Sequence, residues 1–405
     1  MIKKDLSLVV LAGGAGTRLN KILGNKQKCI ANVNDKPFLN YILNLYSKYT
    51  FKKIYILVGK NSDELITLYH KKEFNFIKVI CLKEKTLLGT GGALYKIRNK
   101  VSNFILVNGD SVLDINLQKF LPFNNKFICK MSLIKNKNYL SNKKLSNLSL
   151  KSNLVTNNNH RNTYMNGGVY YFNKKIFKYV KNKKLSLEED ILPDLISKKK
   201  VIGEIYKNSF SYDIGTKKNF FQSHKIIKKH FLRPAFFLDR DGVINYDYGY
   251  VSKFEKFKFK KGVVKGLDFL IKNNYYIFII TNQAGIAKKK FSLNQFKLLH
   301  LKIKNYLAKK NIYFDKVSYC PHHINGKILR YKKNCSFRKP NNGMVKSILN
   351  KWDIKVKKSF FIGDKISDER CAKKSNLRYF YAKQNFYYQV KQIHNKYNNN
   401  EYKRI

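Results

Sequence analysis

Short apolar runs that stop abruptly on a polar residue or a glycine constrain this chain more than any other feature. In the first half these runs are "LSLVVLA" (6–12), "KIYILVG" (53–59), "FIKVICL" (76–82) and "NFILVNGD" (103–110). Amphipathic stretches such as "KPFLNYILNLYSKY" and "NSDELITLYHKK" separate them. In the second half "PAFFLD" (234–239), "YYIFIITN" (275–282) and "KSFFIGD" (358–364) alternate with "VVKGLDFLIKN" and "SLNQFKLLHLKIKNYLAKK". Strand-like runs alternating with helical ones predict an α/β protein with largely parallel sheets. Each of the last three runs ends in a polar group, and open α/β sheets place their ligands at the carboxyl ends of their strands. Pro37 suits the first turn of a helix, and Ser292 suits an N-cap.

A chain of 405 residues is long for one core and comfortable for two domains. The basic segment "SHKIIKKHFLRP" (223–234) closes the first unit, so the domains are expected at 1–228 and 233–390. The Asn-rich stretch "NKNYLSNKKLSNLSLKSNLVTNNNHRN" (136–162) reads as loop with some strand, and the tail "HNKYNNNEYKRI" as frayed. Six cysteines scattered through so long a chain argue against a disulfide framework. No apolar run is long enough to span a bilayer, and the N-terminal one passes straight into a glycine turn, so a cytoplasmic protein without a membrane partner is expected. The net charge of +57 is spread over the whole chain. That spread favours solvated lysine-rich surfaces over a nucleic-acid groove, while still drawing in anionic small molecules.

In "LAGGAGTRL" a strand runs into Gly13, Gly14 and Gly16, whose backbone N–H groups can approach a polyphosphate, and Arg18 adds a charge. Lys28 follows, then "LLGTGGAL" with Gly89 and Gly91, "LVNGD" ending on Asp110, "NGGVYYF" starting at Asn166, "SLEEDILPDL" with Glu188, and "SYDIGT" with Asp213. In order and spacing these resemble the sugar-1-phosphate nucleotidyltransferase family across residues 5 to 225. The branch most similar is the one that makes GDP-D-glycero-D-manno-heptose. The resemblance implies a Rossmann-like domain with a mixed, mainly parallel sheet. It implies that Arg18 and Lys28 hold the triphosphate and the departing pyrophosphate. Asp110 and Asp213 would bind Mg²⁺, Glu188 would contact the sugar, and the 89–92 glycines would shape the base and sugar pocket. The family's acidic-basic pair ahead of "NGG" is replaced here by "TNNNHRNTYM", where His160 or Arg161 would have to substitute.

The second half opens on "DRDGVIN". Asp239 at a strand end is placed to attack phosphorus, and Asp241 to exchange a proton with the leaving oxygen and the attacking water. Crowded aspartates call for a cation and a third carboxylate, which Asp364 in "FFIGDKISD" supplies, so Asp239, Asp241 and Asp364 are the expected Mg²⁺ ligands. Thr281 and Asn282 are placed to hydrogen-bond phosphoryl oxygens, and Lys339 to balance their charge. "DRDGVIN", "TNQAGIA", "CPHH", "RKP" and "GDKISD" together resemble the haloacid-dehalogenase superfamily, and within it the D-glycero-D-manno-heptose 1,7-bisphosphate 7-phosphatases. Histidinol-phosphate phosphatase is the rival within that superfamily. Arg338 is a candidate for the substrate's second phosphate.

That family's loop zinc site has the form C-x-H…C-x-C. Cys320, His322 and Cys335 match it, but the fourth position is Phe337, which cannot ligate, so an empty folded loop is favoured over zinc. The two resemblances fit one another, since a 7-phosphatase leaves a sugar 1-phosphate and a nucleotidyltransferase consumes one. A bifunctional enzyme is therefore expected, with sugar phosphates and a nucleoside triphosphate as its small-molecule partners. Competing expectations are another sugar, such as mannose 1-phosphate, or a basic nucleic-acid-binding protein on degenerate enzyme folds.

Overall fold

The structure is a computed structural model and describes residues 5–14, 19–24, 26–121, 123–135, 148–157 and 164–398. The chain forms two compact units, Met1–Ile227 and Lys228–Ile405.

The first unit is built on a parallel block in which Ile77–Lys83, Ile54–Val58, Ser7–Ala12 and Phe104–Asn108 lie side by side in that order. Leu8, Val9 and Val10 are successive residues and all fully buried, so both faces of this block are covered. Tyr164–Phe172 joins antiparallel to Phe104–Asn108, and Cys129–Lys135, Val201–Tyr206, Leu154–Asn157 and Leu148–Lys151 extend that side. The sheet is thus mixed. A separate ribbon pairs Ser111–Leu113 with Ser211–Asp213. The helix expected from "KPFLNYILNLYSKY" spans Phe38–Ser47. Pro37 lies outside it, ending the short strand Lys36–Pro37 with an extended backbone, because its ring accepts that geometry as readily as a helical one. Within the Asn-rich stretch the described residues form the hairpin Leu148–Lys151 and Leu154–Asn157, and 136–147 and 158–162 lie outside the described residues.

The second unit has a five-stranded sheet in the order Lys316–Cys320, Tyr276–Asn282, Ala235–Leu238, Phe360–Gly363, Arg378–Tyr381, with every pairing parallel. The first strand in sequence lies in the middle. Order therefore reverses between Ala235–Leu238 and Phe360–Gly363, which makes a crevice at their carboxyl ends. Phe237, Phe278 and Phe361 fill the core, and Trp352 packs on Tyr276 and Phe278 with ring centroids 5.0 and 5.2 Å away. Ser292 caps the helix Leu293–Ala308 through a reciprocal capping box with Gln295. The tail is more ordered than expected, since the helix Phe386–Asn398 runs well into it.

No helix among the described residues is long and apolar enough to cross a membrane.

Candidate active sites

Asp239 follows the buried strand Ala235–Leu238, and Asp364 follows its neighbour Phe360–Gly363, so the crevice at the reversal point receives both carboxylates. Ligand oxygens of Asp239, Asp364 and Asp368 lie within 4.8 Å of one another. Lys339 Nζ binds Asp239 Oδ1 at 2.9 Å and Asp368 Oδ1 at 2.7 Å, and donates to the Ile280 carbonyl at 2.9 Å. Burial lowers the pKa of this ammonium, but Asp239 and Asp368 outweigh it and raise the pKa. Burial pushes the Asp239 carboxyl up to about 7, against the pull of Lys339. Burial also raises Asp364, with Lys365 opposing. Asp368 Oδ2 accepts the backbone N–H groups of Asp364 and Lys365 at 3.2 and 3.1 Å, fixing the loop that carries Asp364.

The gathered carboxylates differ from those expected. Asp241 is not in the cluster; Asp368 takes its place. Arg240 grips both oxygens of Asp241 at 2.8–3.2 Å, Asn245 Nδ2 donates to Oδ1 at 3.0 Å, and Gln283 Nε2 donates to Oδ2 at 3.1 Å. Burial would raise this carboxyl, yet the Arg240 charge and the three donors more than offset it and hold it below the usual carboxylate range. Gly242 makes the turn with φ +84°, and a Cβ there would lie 2.2 Å from Asp364 Oδ2.

Thr281 and Asn282 end the adjoining strand Tyr276–Asn282. Thr281 Oγ1 accepts from Gln283 Nε2 at 2.8 Å, which leaves its own O–H to donate. The Asn282 amide pairs with both the N–H and the C=O of Lys339, at 3.1 and 3.0 Å, and so sets the lysine. Arg338 Nη1 donates to the His322 carbonyl at 3.1 Å. Motif reading passed over Arg240, Asn245 and Gln283, although all three stand inside the quoted motifs, because only the fold shows that they share one carboxylate.

Cys320, His322 and Cys335 converge as a second cluster with donor atoms within 4.8 Å. His322 Nδ1 lies 3.7 Å from Cys320 Sγ and 3.2 Å from Cys335 Sγ. Burial pushes the Cys320 thiol up to about 12. Two thiols and an imidazole suit zinc, and Phe337, 41% exposed, offers no donor, so three ligands converge here among the described residues.

In the first unit the strand ends bring Gly13, Gly59 and the Asn108–Asp110 turn together. A Cβ on Gly13 would stand 3.3 Å from the Gly59 nitrogen, and Gly109 N–H donates to the Leu11 carbonyl at 2.8 Å. Gly14 is exposed with open space around it. Lys28 Nζ lies 4.0 Å from Asp110 Oδ2. The ribbon places Asp213 opposite Ser111, and Ile214 N–H donates to the Asp110 carbonyl at 3.0 Å, so segments far apart in sequence become neighbours. Gly89 (φ +71°) and Gly91 pack on the turn that holds Glu188. A Cβ on Gly89 would meet the Leu185 carbonyl oxygen at 2.5 Å, and Thr90 Oγ1 donates to Glu188 Oε2 at 2.8 Å. Asn166 hydrogen-bonds the Tyr170 hydroxyl and accepts the Gly168 N–H at 3.0 Å. Gly16, Arg18, His160 and Arg161 lie outside the described residues.

Residues 236–397 match the family model "Polynucleotide kinase 3 phosphatase", and residues 7–131 match "Nucleotidyl transferase". The D-glycero-beta-D-manno-heptose-1,7-bisphosphate 7-phosphatase of Rhodopseudomonas palustris is 39% identical over 145 residues, which are 36% of this chain and 81% of that protein. The chain belongs to this phosphatase family. The Escherichia coli K12 member is 38% identical over 144 residues, 36% of this chain and 75% of that protein. Among solved structures, HddC from Yersinia pseudotuberculosis is 24% identical with a TM-score of 0.45, covering 54% of this chain and 98% of its own. The D,D-heptose 1.7-bisphosphate phosphatase from B. bronchiseptica, complexed with magnesium and phosphate, is 23% identical with a TM-score of 0.34, covering 39% and 86%. The chain is an enzyme with a nucleotidyltransferase domain followed by a haloacid-dehalogenase-type phosphatase domain.

Proposed function

We propose that the chain performs two successive reactions on one sugar. The second unit removes the C7 phosphate of D-glycero-D-manno-heptose 1,7-bisphosphate. The first transfers GMP from GTP to the resulting heptose 1-phosphate and releases pyrophosphate. The observation that carries the phosphatase half is the set of Asp239, Asp364 and Asp368 at the strand-reversal crevice, bridged by the buried Lys339.

Asp239 is the nucleophile. Its oxygen bonds to phosphorus as the bond to the sugar oxygen breaks, and Asp241, a carboxylate at rest, picks up a proton from solvent and passes it to that oxygen. Water then attacks the aspartyl phosphate, gives its proton back to Asp241, and phosphate leaves with Asp239 restored. Lys339 keeps Asp239 in place and offsets the charge around the transferring group. Thr281 donates its hydroxyl to a phosphoryl oxygen, and Arg338 faces the second phosphate. Mg²⁺ suits this crevice: Asp364 Oδ1 is buried without a hydrogen-bond partner, and the room beside it exists because residue 242 has no side chain. Asp239 and Asp364 would hold the ion, which neutralises phosphoryl charge when bound. Asp368 holds the Asp364 loop. Cys320, His322 and Cys335 offer zinc three donors, His323 could supply a fourth, and no step depends on this site.

In the first unit a phosphate oxygen of the sugar 1-phosphate attacks the α-phosphorus of the nucleotide in line, so the protein positions reactants and balances charge. Asp110 and Asp213 would hold Mg²⁺, Lys28 and Arg18 would contact the phosphates, and Gly13, Gly14 and Gly16 would admit them. Glu188, supported by Gly89 and Gly91, would bind the sugar together with Asn166.

The test supplies heptose 1,7-bisphosphate, Mg²⁺ and GTP to the wild type, Asp239→Asn and Asp110→Asn. Asp239→Asn should release no phosphate yet still convert added heptose 1-phosphate to nucleotide sugar. Asp110→Asn should accumulate heptose 1-phosphate. Equal loss of both activities in both variants would refute the division of labour. Substituting the other nucleoside triphosphates, mannose 1-phosphate and histidinol phosphate in the same assay settles the choice of substrate.

A further inference from the structure

The first unit holds a cavity of about 600 Å³ that neither reaction uses. Small-molecule sites run from about 300 to 1,000 Å³. Lys130 and Ile202, which line it, are the second residues of Cys129–Lys135 and Val201–Tyr206 and stand in register. Cys129–Lys135 runs the same way as Phe104–Asn108, since both are antiparallel to Tyr164–Phe172. The cavity therefore starts near the amino ends of these strands, whereas Asp110 follows the carboxyl end of Phe104–Asn108. Val201–Tyr206 is also the third strand out from Phe104–Asn108, about 14 Å away at the usual strand spacing. The cavity is thus separate from the strand ends that carry Gly13 and Asp110.

Two aromatic rings and an ion pair line it. Phe123 packs on Tyr171 with ring centroids 4.6 Å apart, and the Phe127 carbonyl accepts from Asn173 Nδ2 at 2.6 Å, so both phenylalanines are anchored while only half-buried. Lys130 is 7% exposed, pairs with Glu204 Oε2, and holds its ammonium 5.1 Å from the centroid of the Phe120 ring. Glu204 Oε1 accepts the Tyr206 hydroxyl at 2.9 Å. The Glu204 side chain is still 31% exposed, and each of its oxygens has a further lone pair to offer. Gly203 N–H donates to the Asn153 carbonyl at 2.9 Å, which ties the turn of the hairpin Leu148–Lys151 and Leu154–Asn157 to the cavity and brings exposed Ser152 and Asn153 to its lining.

Lys130 and Glu204 thus present one donor beside two acceptors on a wall shared with aromatic rings. Guanine offers the complement along one edge, with O6 to accept and N1–H and N2–H to donate, and its flat ring suits an aromatic wall. Adenine would turn a ring acceptor toward the carboxylate instead. Lys126 and Lys151, both exposed, adjoin lining residues in the chain and supply positive charge for phosphates. We propose that this cavity is a second, non-catalytic site for a guanine nucleotide, with the base on Lys130 and Glu204 against Phe123 and Phe127, and the ribose at Ser152 and Asn153. The inference goes beyond the two reactions. Only its link to them rests on the reading above, in which the substrate GTP and the nucleotide-sugar product both carry this base.

Equilibrium dialysis of the full chain with GDP tests it. The wild type should bind two GDP per chain, one in the catalytic site and one in the cavity. Lys130→Met combined with Glu204→Gln should bind one, and removing both charges together leaves no lone buried ion. ADP should fill the cavity at least about tenfold more weakly than GDP, the loss expected when a paired base contact is mismatched. Circular-dichroism melting shows whether the double variant is folded. Photolabelling of the wild type with 8-azidoguanosine diphosphate needs no variant and should mark the peptide 123–130 or 202–204. Equal GDP stoichiometry in wild type and folded double variant, ADP binding in the cavity as tight as GDP, or label confined to other peptides would overturn the site. One GDP on the wild type and none on the double variant would support the cavity while bringing down the guanylyl-transfer reading of the first unit.

Discussion

At the scale of single residues, the phosphatase crevice depends on a missing side chain as much as on its carboxylates. Gly242 has φ +84°, where L residues are strained, and a Cβ at this position would collide with Asp364 Oδ2 at 2.2 Å. Gly242→Ala should therefore lower phosphate release by about 100-fold or more, comparable with losing a catalytic group. It should also weaken Mg²⁺ dependence while leaving nucleotidyl transfer unchanged; assaying both activities on one preparation checks this. Gly92 gives a parallel case in the other unit, where a Cβ would lie 2.2 Å from the Lys183 carbonyl oxygen. Gly92→Ala should depress nucleotidyl transfer and spare phosphate release. Asp239 and Asp364 were legible in the sequence, since each ends an apolar run. The turn of the Asp241 side chain away from the other carboxylates was not, because it depends on Gln283, forty-two residues away along the chain, and on the direction in which Arg240 folds back.

At the scale of elements, the helix Leu293–Ala308 shows local rules and tertiary burial pulling in different directions. Its Ser292–Gln295 capping box follows directly from sequence, and Ser292→Ala should cost about 1 kcal/mol, read as a lower unfolding midpoint of this unit. The same helix buries Lys304, whose pKa burial pushes down to about 7, and His300, which burial also lowers, with Arg240 and Lys304 adding to the effect. An unfolded lysine titrates near 10.4. Between about 7 and 10 the unfolded chain thus binds a proton that the folded one does not, so stability rises with pH across that window and falls again as pH drops to 7. Denaturation followed by Trp352 fluorescence should show this rise between pH 7 and 8, below the range in which unfolded cysteine thiols ionise, and Lys304→Met should flatten it. Nothing in the helical periodicity marks Lys304 as interior, because lysine at such spacing is as consistent with a solvated face.

At the scale of the whole molecule, the excess positive charge acts on both reactions at once. With a net charge of +57 and anionic substrates in each half, attraction should concentrate sugar phosphates and nucleotides near the protein. The Debye length shrinks from about 10 Å at 0.1 M salt to about 3 Å at 1 M, so KM for heptose bisphosphate and for GTP should both rise with added NaCl. Initial-rate kinetics over a salt series measure this, and an unchanged KM for both would show that the charge is only a solvated coat.

The sequence by itself determined the α/β class, the two-part organisation and the strand ends that carry chemistry. Those features rest on local patterning: apolar runs of strand length, amphipathic runs of helix length, and the turn residues between them. Only the tertiary structure decided which groups meet. Asp213 comes opposite Ser111, next to Asp110 in the chain, through pairing of Ser211–Asp213 with Ser111–Leu113, and Asp368 rather than Asp241 completes the cluster around Lys339. Such meetings depend on long-range pairing and on which way buried side chains turn to satisfy their charges, and neither is written in the spacing of residues along the chain.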